Sequence, residues 1–297
     1  MRIYLDCIPC FVRQALDSAR LVTDDERIHE KVVREVLRLA SDLDMSQSPP
    51  AIGQQIHRLI RELIDNTDPY RELKQRFNRL ALRLCVELEE RVRTSEDPLE
   101  TAVRLAIAGN IIDLGVKTSI KESDIERIIR DCLTADFDNQ QIEGFRNAVS
   151  RAEKILYLAD NAGEIVFDRL LIEQLPAEKV TVAVKGAPVI NDATIEDAEF
   201  AGLTKMVEVI DNGSDVPGTI LETCSQTFRA RFEDADLIVA KGQGNYETLS
   251  GADKNIFFVL KAKCPVIAGD LGCEVGEMIL RNSKAFNDIV DLVKDAE

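Results

Sequence analysis

From Lys154 onward short uninterrupted apolar runs alternate with helix-like stretches, and no other feature of the chain constrains its fold as much. The order is ILYLA then IVFDRLLIEQL, VTVAV then ATIEDAEFA, MVEVI then TILETC and QTFRARF, LIVA then NYETLS, and IFFVLKA with PVIAG. Strands apolar at successive positions are buried on both faces, and their regular alternation with helices implies a parallel sheet covered on both sides. The expected class is α/β, with residues 151–297 as the α/β unit.

Residues 1–150 read differently. Only four of the 15 glycines fall there, and apolar positions recur three and four apart over Cys10 to Leu21 and Asp24 to Leu43. Ser48-Pro49-Pro50 opens a helix ending near Ile64, because proline suits the first helical turn. Pro69 precedes the long segment RELKQRFNRLALRLCVELEERV, and Asp97-Pro98 opens the next, to about Gly109. Two shorter helices are expected over Glu122 to Cys132 and Asn139 to Glu153. The expected architecture is therefore a helical N-terminal domain (1–150) ahead of the α/β domain.

Charge and cysteine usage limit the function. Residues 1–150 carry 22 Lys+Arg against 27 Asp+Glu, and 151–297 carry 15 against 26, giving −5 and −11 of the total −16. So acidic a chain lacks the cationic footprint of backbone-driven nucleic-acid binding. No apolar run approaches the roughly 20 residues of a membrane span. MRIYLDCIPC lacks the apolar stretch of a signal peptide, so a cytoplasmic location is expected. The seven cysteines include one close pair, Cys7 and Cys10, and with only His29 and His57 available a four-ligand zinc site is poorly supported. No obligate protein partner is inferred.

In open parallel sheets ligands bind beyond the carboxyl ends of the strands. Those ends read Asp160-Asn161, Lys185-Gly186, Asp211-Asn212-Gly213 and Lys241-Gly242. Turn chemistry accounts for some of these residues, since Asp, Asn and Gly all favour turns. Ligand binding accounts for them equally. Asn191-Asp192, in the loop after the second strand, has the same two readings: an N-cap for the following helix, or ligands. Lys241-Gly242-Gln243-Gly244-Asn245 can form an anion-binding nest of backbone N–H groups with a lysine beside it. It is not the dinucleotide fingerprint, because Glu247 stands where the third glycine belongs and the motif follows the fourth strand.

Together these motifs resemble a known family. DNAGE followed by Asp168, KGxPxxND, KGxGN and KCPVIAGDLG are similar to those of the damage-control phosphatases, formerly the domain of unknown function numbered eighty-nine. Asp6-Cys7-Ile8-Pro9-Cys10 resembles the signature of its microbial subfamily with an N-terminal CxxC, and Gly109-Asn110-Ile111-Ile112-Asp113 resembles its GNxxD element. The resemblance implies a three-layer α/β/α domain after a helical region. It also implies a metal-dependent phosphatase acting in metabolite repair on small phosphorylated metabolites, among them damaged purine nucleotides or their intermediates. By the same resemblance Asp160, Asn161 and Asp192 match metal-binding positions. Lys241 to Asn245 match a substrate-contacting loop, with Asn110 and Asp113 joining the phosphate-binding set. Glu164 matches a catalytic position that could place water or donate a proton.

Two carboxylates and an amide oxygen form a hard, incompletely filled set. It suits Mg²⁺ or Mn²⁺, with Co²⁺ and Ni²⁺ favoured by intrinsic affinity. In this reading Lys241 would face the phosphoryl oxygens. A covalent aspartyl-phosphate route is disfavoured, because Ala162 occupies the place of the second Asp that haloacid-dehalogenase-type phosphatases need. Two other functions compete: an S-adenosylmethionine-dependent carboxyl methyltransferase, and a redox or metal-sensing protein built on Cys7 and Cys10.

Overall fold

The computed structural model describes residues 1–112 and 122–283. Among these described residues seven helices come first: α1 (Cys7–Val22), α2 (Glu26–Ser41), α3 (Pro49–Ile64), α4 (Arg71–Thr94), α5 (Pro98–Ile112), α6 (Glu122–Thr134) and α7 (Asn139–Arg151). Their starts follow from local chemistry. Asp25 and Asp138 accept hydrogen bonds from Arg27 N–H and Gln140 N–H, capping α2 and α7, while prolines occupy the first turn of α3.

The second half alternates β1 (Ile155–Leu158), α8 (Glu164–Ile172), β2 (Val180–Val184), α9 (Ile195–Ala201), β3 (Glu208–Asp211), α10 (Gln226–Asp234), β4 (Leu237–Lys241), α11 (Gly242–Leu249), β5 (Ile256–Lys261), α12 (Pro265–Leu271) and β6 (Met278–Asn282). One six-stranded sheet results, ordered β3-β2-β1-β4-β5-β6, parallel except for β6, which pairs antiparallel with β5. The expected parallel sheet is present. The segment PVIAG, which follows the run IFFVLKA, opens helix α12 with Pro265 in its first turn.

Alternate side chains of each strand enter two separate cores. Tyr157, Val182, Val239 and Val259 face a layer containing α4, α5, α7 and α8. Leu156, Ala183, Ile238 and Phe258 face α10, α11 and α12 through Phe228, Phe232, Tyr246 and Leu271. This two-residue period makes a three-layer α/β/α sandwich. The packing also divides the helical half. Helices α1 to α3 share their own core around Phe11, Val36, Ile52 and Ile56, whereas α4 to α7 belong to one layer of the sandwich. The strands begin at Ile155, and α4 to α7, which precede them, share a core with them. Among the described residues no helix is long and apolar enough to cross a membrane.

Candidate active site

The strand order reverses between β1 and β4, because β2 and β3 extend the sheet on one side and β4 and β5 on the other. Loops diverge at such a switch point and leave a crevice at the carboxyl ends. Asp160-Asn161 leaves β1 there, and Lys241-Gly242 ends β4. The two loops touch: a Cβ on Gly242 would lie 1.8 Å from Asp160 Oδ2. At φ +78°, Gly242 also adopts backbone that L side chains rarely take.

Asp192 comes from the loop after β2. Thr194, not Asn191 or Asp192, is the N-cap of α9, and with Asp197 it makes a capping box. The N-cap reading of Asn191-Asp192 is thereby corrected, and the pair serves a different contact. Asn161 and Asp192 form an isolated antiparallel bridge. Ala162 N–H donates to Asn191 O and Ala193 N–H to Asp160 O, both at 2.8 Å. Asp160, Asn161 and Asp192 are thus brought together by backbone pairing.

Two carboxamides organise the carboxylates. Asn110 Nδ2 donates to Asp160 Oδ2 (3.1 Å) and Glu164 Oε2 (2.9 Å), and Asn161 Nδ2 donates to the same two atoms at 2.8 and 3.0 Å. Asn110 reaches them because Gly109 lets α5 lie close to α8: a Cβ there would stand 3.1 Å from Phe167 Cβ. Asp113, the other residue expected from that element, lies outside the described residues.

Lys241 is placed differently from expectation. Its ammonium is fully buried and donates to Ala106 O at 2.8 Å, Glu164 Oε1 at 2.6 Å and Asp168 Oδ1 at 2.7 Å. Three donors meet three acceptors, so the ammonium turns away from a phosphate at the loop. Strand parity explains the direction, since Leu237, Val239 and Lys241 share the face toward α5 and α8. Asp168 also accepts from the Tyr157 hydroxyl at 2.8 Å. Burial pushes the Asp168 carboxyl up to about 6 despite Lys241, while Asp168 and Glu164 together outweigh burial and hold the Lys241 ammonium above its ordinary pKa.

The remaining loop residues are committed elsewhere. Asn245 Nδ2 donates to Lys241 O and its Oδ1 accepts from Thr219, each at 2.8 Å, which locks the start of α11. Gln243 donates to Glu247 Oε1 at 2.9 Å and to Cys264 Sγ at 3.7 Å, facing α12. Gly244 lies under the turn at Gly218, where a Cβ would come within 2.2 Å of Gly244 O. Cys7 and Cys10 occupy the first turn of α1, and burial raises the Cys7 thiol above its usual range.

Lys185, Asp168, Tyr157 and Asp197 also belong to this network. Lys185 stands 3.5 Å from Asp192 and bonds Gly218 O. The strand-end position marked Lys185 in the sequence; nothing local marked Tyr157 or Asp197. Outside the network, Arg58, Arg61 and Gln54 of α3 clasp Asp215 beside the β3 loop at 2.5–2.9 Å. Burial opposes ionisation of Asp215, but these donors outweigh it and hold its carboxyl well below the usual range. A cleft of about 840 Å³ opens at the opposite, amino-terminal edge of the sheet, beside Lys154, Val180 and Met206, away from these residues.

Comparison with known proteins shows the family. The model of the damage-control phosphatase ARMT1-like domain matches residues 3–279. The chain belongs to that family. It is 38% identical to a damage-control phosphatase of Archaeoglobus fulgidus, covering 95% of this chain and 99% of the relative. An uncharacterised protein of Methanocaldococcus jannaschii is also 38% identical, over 94% of this chain and 95% of its own length. The crystal structure of a DUF89 family protein from Pyrococcus horikoshii superposes with a TM-score of 0.84 at 34% identity, covering 95% of this chain and 99% of that one. Within the ARMT1-like fold, the buried network described here occupies the switch-point crevice.

Whether this member could hold a cation can be judged from its donor set. Asp160, Glu164, Asp168 and Asp192 are four buried carboxylates facing two buried ammonium groups, Lys185 and Lys241. With all ionised, two negative charges remain, which a divalent ion would balance. Among the described residues no three His, Cys, Asp or Glu side chains form a ready metal cluster. A cation would therefore rest on a mixed set: Asp160, Asp192 and the Asn161 carbonyl oxygen, whose amide nitrogen is already held by Glu164. That oxygen-rich set suits Mg²⁺ or Mn²⁺, which keep several waters and need only one or two carboxylates. The residues fit.

Proposed function

We propose that this protein is a metal-dependent phosphatase that hydrolyses small phosphorylated metabolites in a damage-control role. The observation that carries this reading is the surplus of buried carboxylates at the switch point, joined to the glycine-rich start of α11. The name of the Archaeoglobus relative supports the activity class. Damaged purine nucleotides or their intermediates remain the proposed substrates, and Mn²⁺, Mg²⁺, Co²⁺ or Ni²⁺ the proposed cofactor.

Asp160, Asn161 and Asp192 would hold the ion, which when bound supplies Lewis-acid polarisation of a phosphoryl oxygen and acidifies a coordinated water. The chain's own groups do the rest. Asn110 fixes Asp160 and Glu164 relative to each other, and Glu164 holds the Asn161 amide nitrogen so that its carbonyl oxygen is the available donor. Lys241 keeps Glu164 in place and supplies the positive charge that its burial requires. The first N–H groups of α11 have no acceptor within the helix and stand beside Asp160, where they can receive phosphoryl oxygens. Lys241 thus serves the site from behind, and the proposed contact to substrate passes from its ammonium to the amides of Gly242 to Gly244.

The competing readings find less support in the geometry. After β1 there is one glycine, Gly163, with its amide held by a side chain, instead of a glycine-rich cradle for a nucleoside cofactor. The Cys7 thiol is held above its ordinary pKa, opposite to an activated thiolate. A phosphate-release screen across divalent ions and phosphometabolites tests the proposal, with Asp192→Asn as control. The substitution removes an anionic ligand at nearly constant volume, and turnover should fall at least tenfold at limiting metal. Undiminished phosphate release by folded Asp192→Asn protein would overturn the metal site.

A further inference from the structure

Asn78 lies in the middle of α4, far from every motif that marks the site, yet its side chain is 2% exposed and joins both walls of the proposed metal corner. Its Oδ1 accepts from Gly163 N–H at 2.6 Å, and its Nδ2 donates to Asp197 Oδ1 at 2.7 Å. Asp197 uses its other oxygen to accept from Thr194 N–H at 2.9 Å and Thr194 Oγ1 at 2.8 Å, with Lys74 Nζ at 3.3 Å. Gly163 is two residues beyond Asn161, and Thr194 is two residues beyond Asp192. One carboxamide therefore ties the Asp160-Asn161 turn to the Asp192 loop.

We infer that Asn78 is a positioning residue that sets the spacing of Asp160 and Asn161 from Asp192, and thereby the affinity of the corner for a divalent cation. The inference rests on the metal reading above. Backbone pairing joins the two walls on the inner side, at Ala162–Asn191 and Ala193–Asp160. The Asn78–Asp197 bridge closes the outer side, where Gly163 holds φ +79°. α4 leaves no slack there: a Cβ on Gly163 would come 2.9 Å from Phe77 Cβ and 3.4 Å from Phe77 O. Helix α4 thus acts as a rigid strut against the metal loop.

The chemistry at position 78 is directional. Gly163 presents a donor and needs an acceptor; Asp197 presents an acceptor and needs a donor. A carboxamide meets both at once, and its orientation is fixed by the two partners. Aspartate at position 78 would satisfy Gly163 but set two buried carboxylates against each other. Exchanging the two residue types restores the pattern. The carboxylate, now on α4, would accept from Gly163 N–H and from the carboxamide on α9, whose carbonyl oxygen would take Thr194 and Lys74. Charge and side-chain volume are unchanged in the exchange.

The test is titration of the full chain with Mn²⁺ alone, read by calorimetry, alongside thermal melts. Asn78→Asp should weaken Mn²⁺ binding tenfold or more in protein that is folded at the assay temperature. The exchanged double variant, Asn78→Asp with Asp197→Asn, should recover binding to within about threefold of the parent. A residue that only stabilises the fold would lower the melting temperature of the single variant and leave the Kd of the folded protein unchanged, and that result overturns the inference. So does a folded double variant that melts like the parent but binds as weakly as the single one. Asp192→Asn separates the two levels: if it binds Mn²⁺ like the parent, the metal corner itself is misassigned and the inference falls with it. If Asp192→Asn loses binding while Asn78→Asp keeps it, the corner stands and the role of Asn78 does not.

Discussion

Replacing Lys241 with methionine removes an ammonium that touches both Glu164 and Asp168. The parent side chain is 0% exposed and its two carboxylate partners are 1% and 0% exposed, so solvent cannot take over its charge. Removing one member of a buried ion pair leaves an uncompensated charge, and such losses run to about 3–5 kcal/mol. At roughly 2–4 °C per kcal/mol for chains of this order of size, the melting temperature should fall by about 6–20 °C at neutral pH. The pH dependence identifies the cause. Without the lysine, the Asp168 carboxyl would be pushed further above its unfolded value of about 4. A carboxyl shifted upward loses stability as pH rises past its unfolded pKa, because the unfolded chain ionises first. The difference between variant and parent should therefore be largest at about pH 8 and shrink toward about pH 5. Asp168 already sits at about 6 in the parent, so part of this penalty disappears below that value. Circular-dichroism melts at those two pH values measure both quantities. An unchanged melting temperature at the alkaline end, or a deficit that grows on acidification, would refute a counter-ion role. Adding Asp168→Asn to Lys241→Met should recover part of the loss.

Two further changes probe the site from other sides. Gly242→Ala places a methyl group 1.8 Å from Asp160 Oδ2 in backbone with φ +78°, so Asp160 or the start of α11 must move. Strain of this kind costs about 1–3 kcal/mol, and steady-state kinetics should show kcat/KM for phosphate release reduced at least tenfold; parent-like kinetics would separate the α11 loop from the chemistry. Serine at both Cys7 and Cys10 should leave metal-dependent phosphate release within about threefold of the parent, because no step proposed above uses a thiol; complete loss in a folded double variant would require one.

How much of this was written in the sequence depends on the range of the interaction. Helix starts and strand runs are set by neighbours within a few residues, so the prolines at Pro49 and Pro98 and the apolar runs ILYL and VTVAV marked their elements directly. The switch-point rule then needed only chain order to bring Asp160, Asp192 and Lys241 to one end of the sheet. Even the direction of Lys241 was partly legible, since a period of two gives it the face of Leu237 and Val239. What filled that face was not. Glu164 and Asp168 precede Lys241 by 77 and 73 residues, and Asn78 precedes Asp197 by 119. No local propensity records such a pairing. The tertiary structure decided it, because α4 and α5 joined the sandwich and brought Asn78 and Asn110 against the loops. Once those charged and polar groups were shut away from water, each required a partner, and packing fixed which one it found.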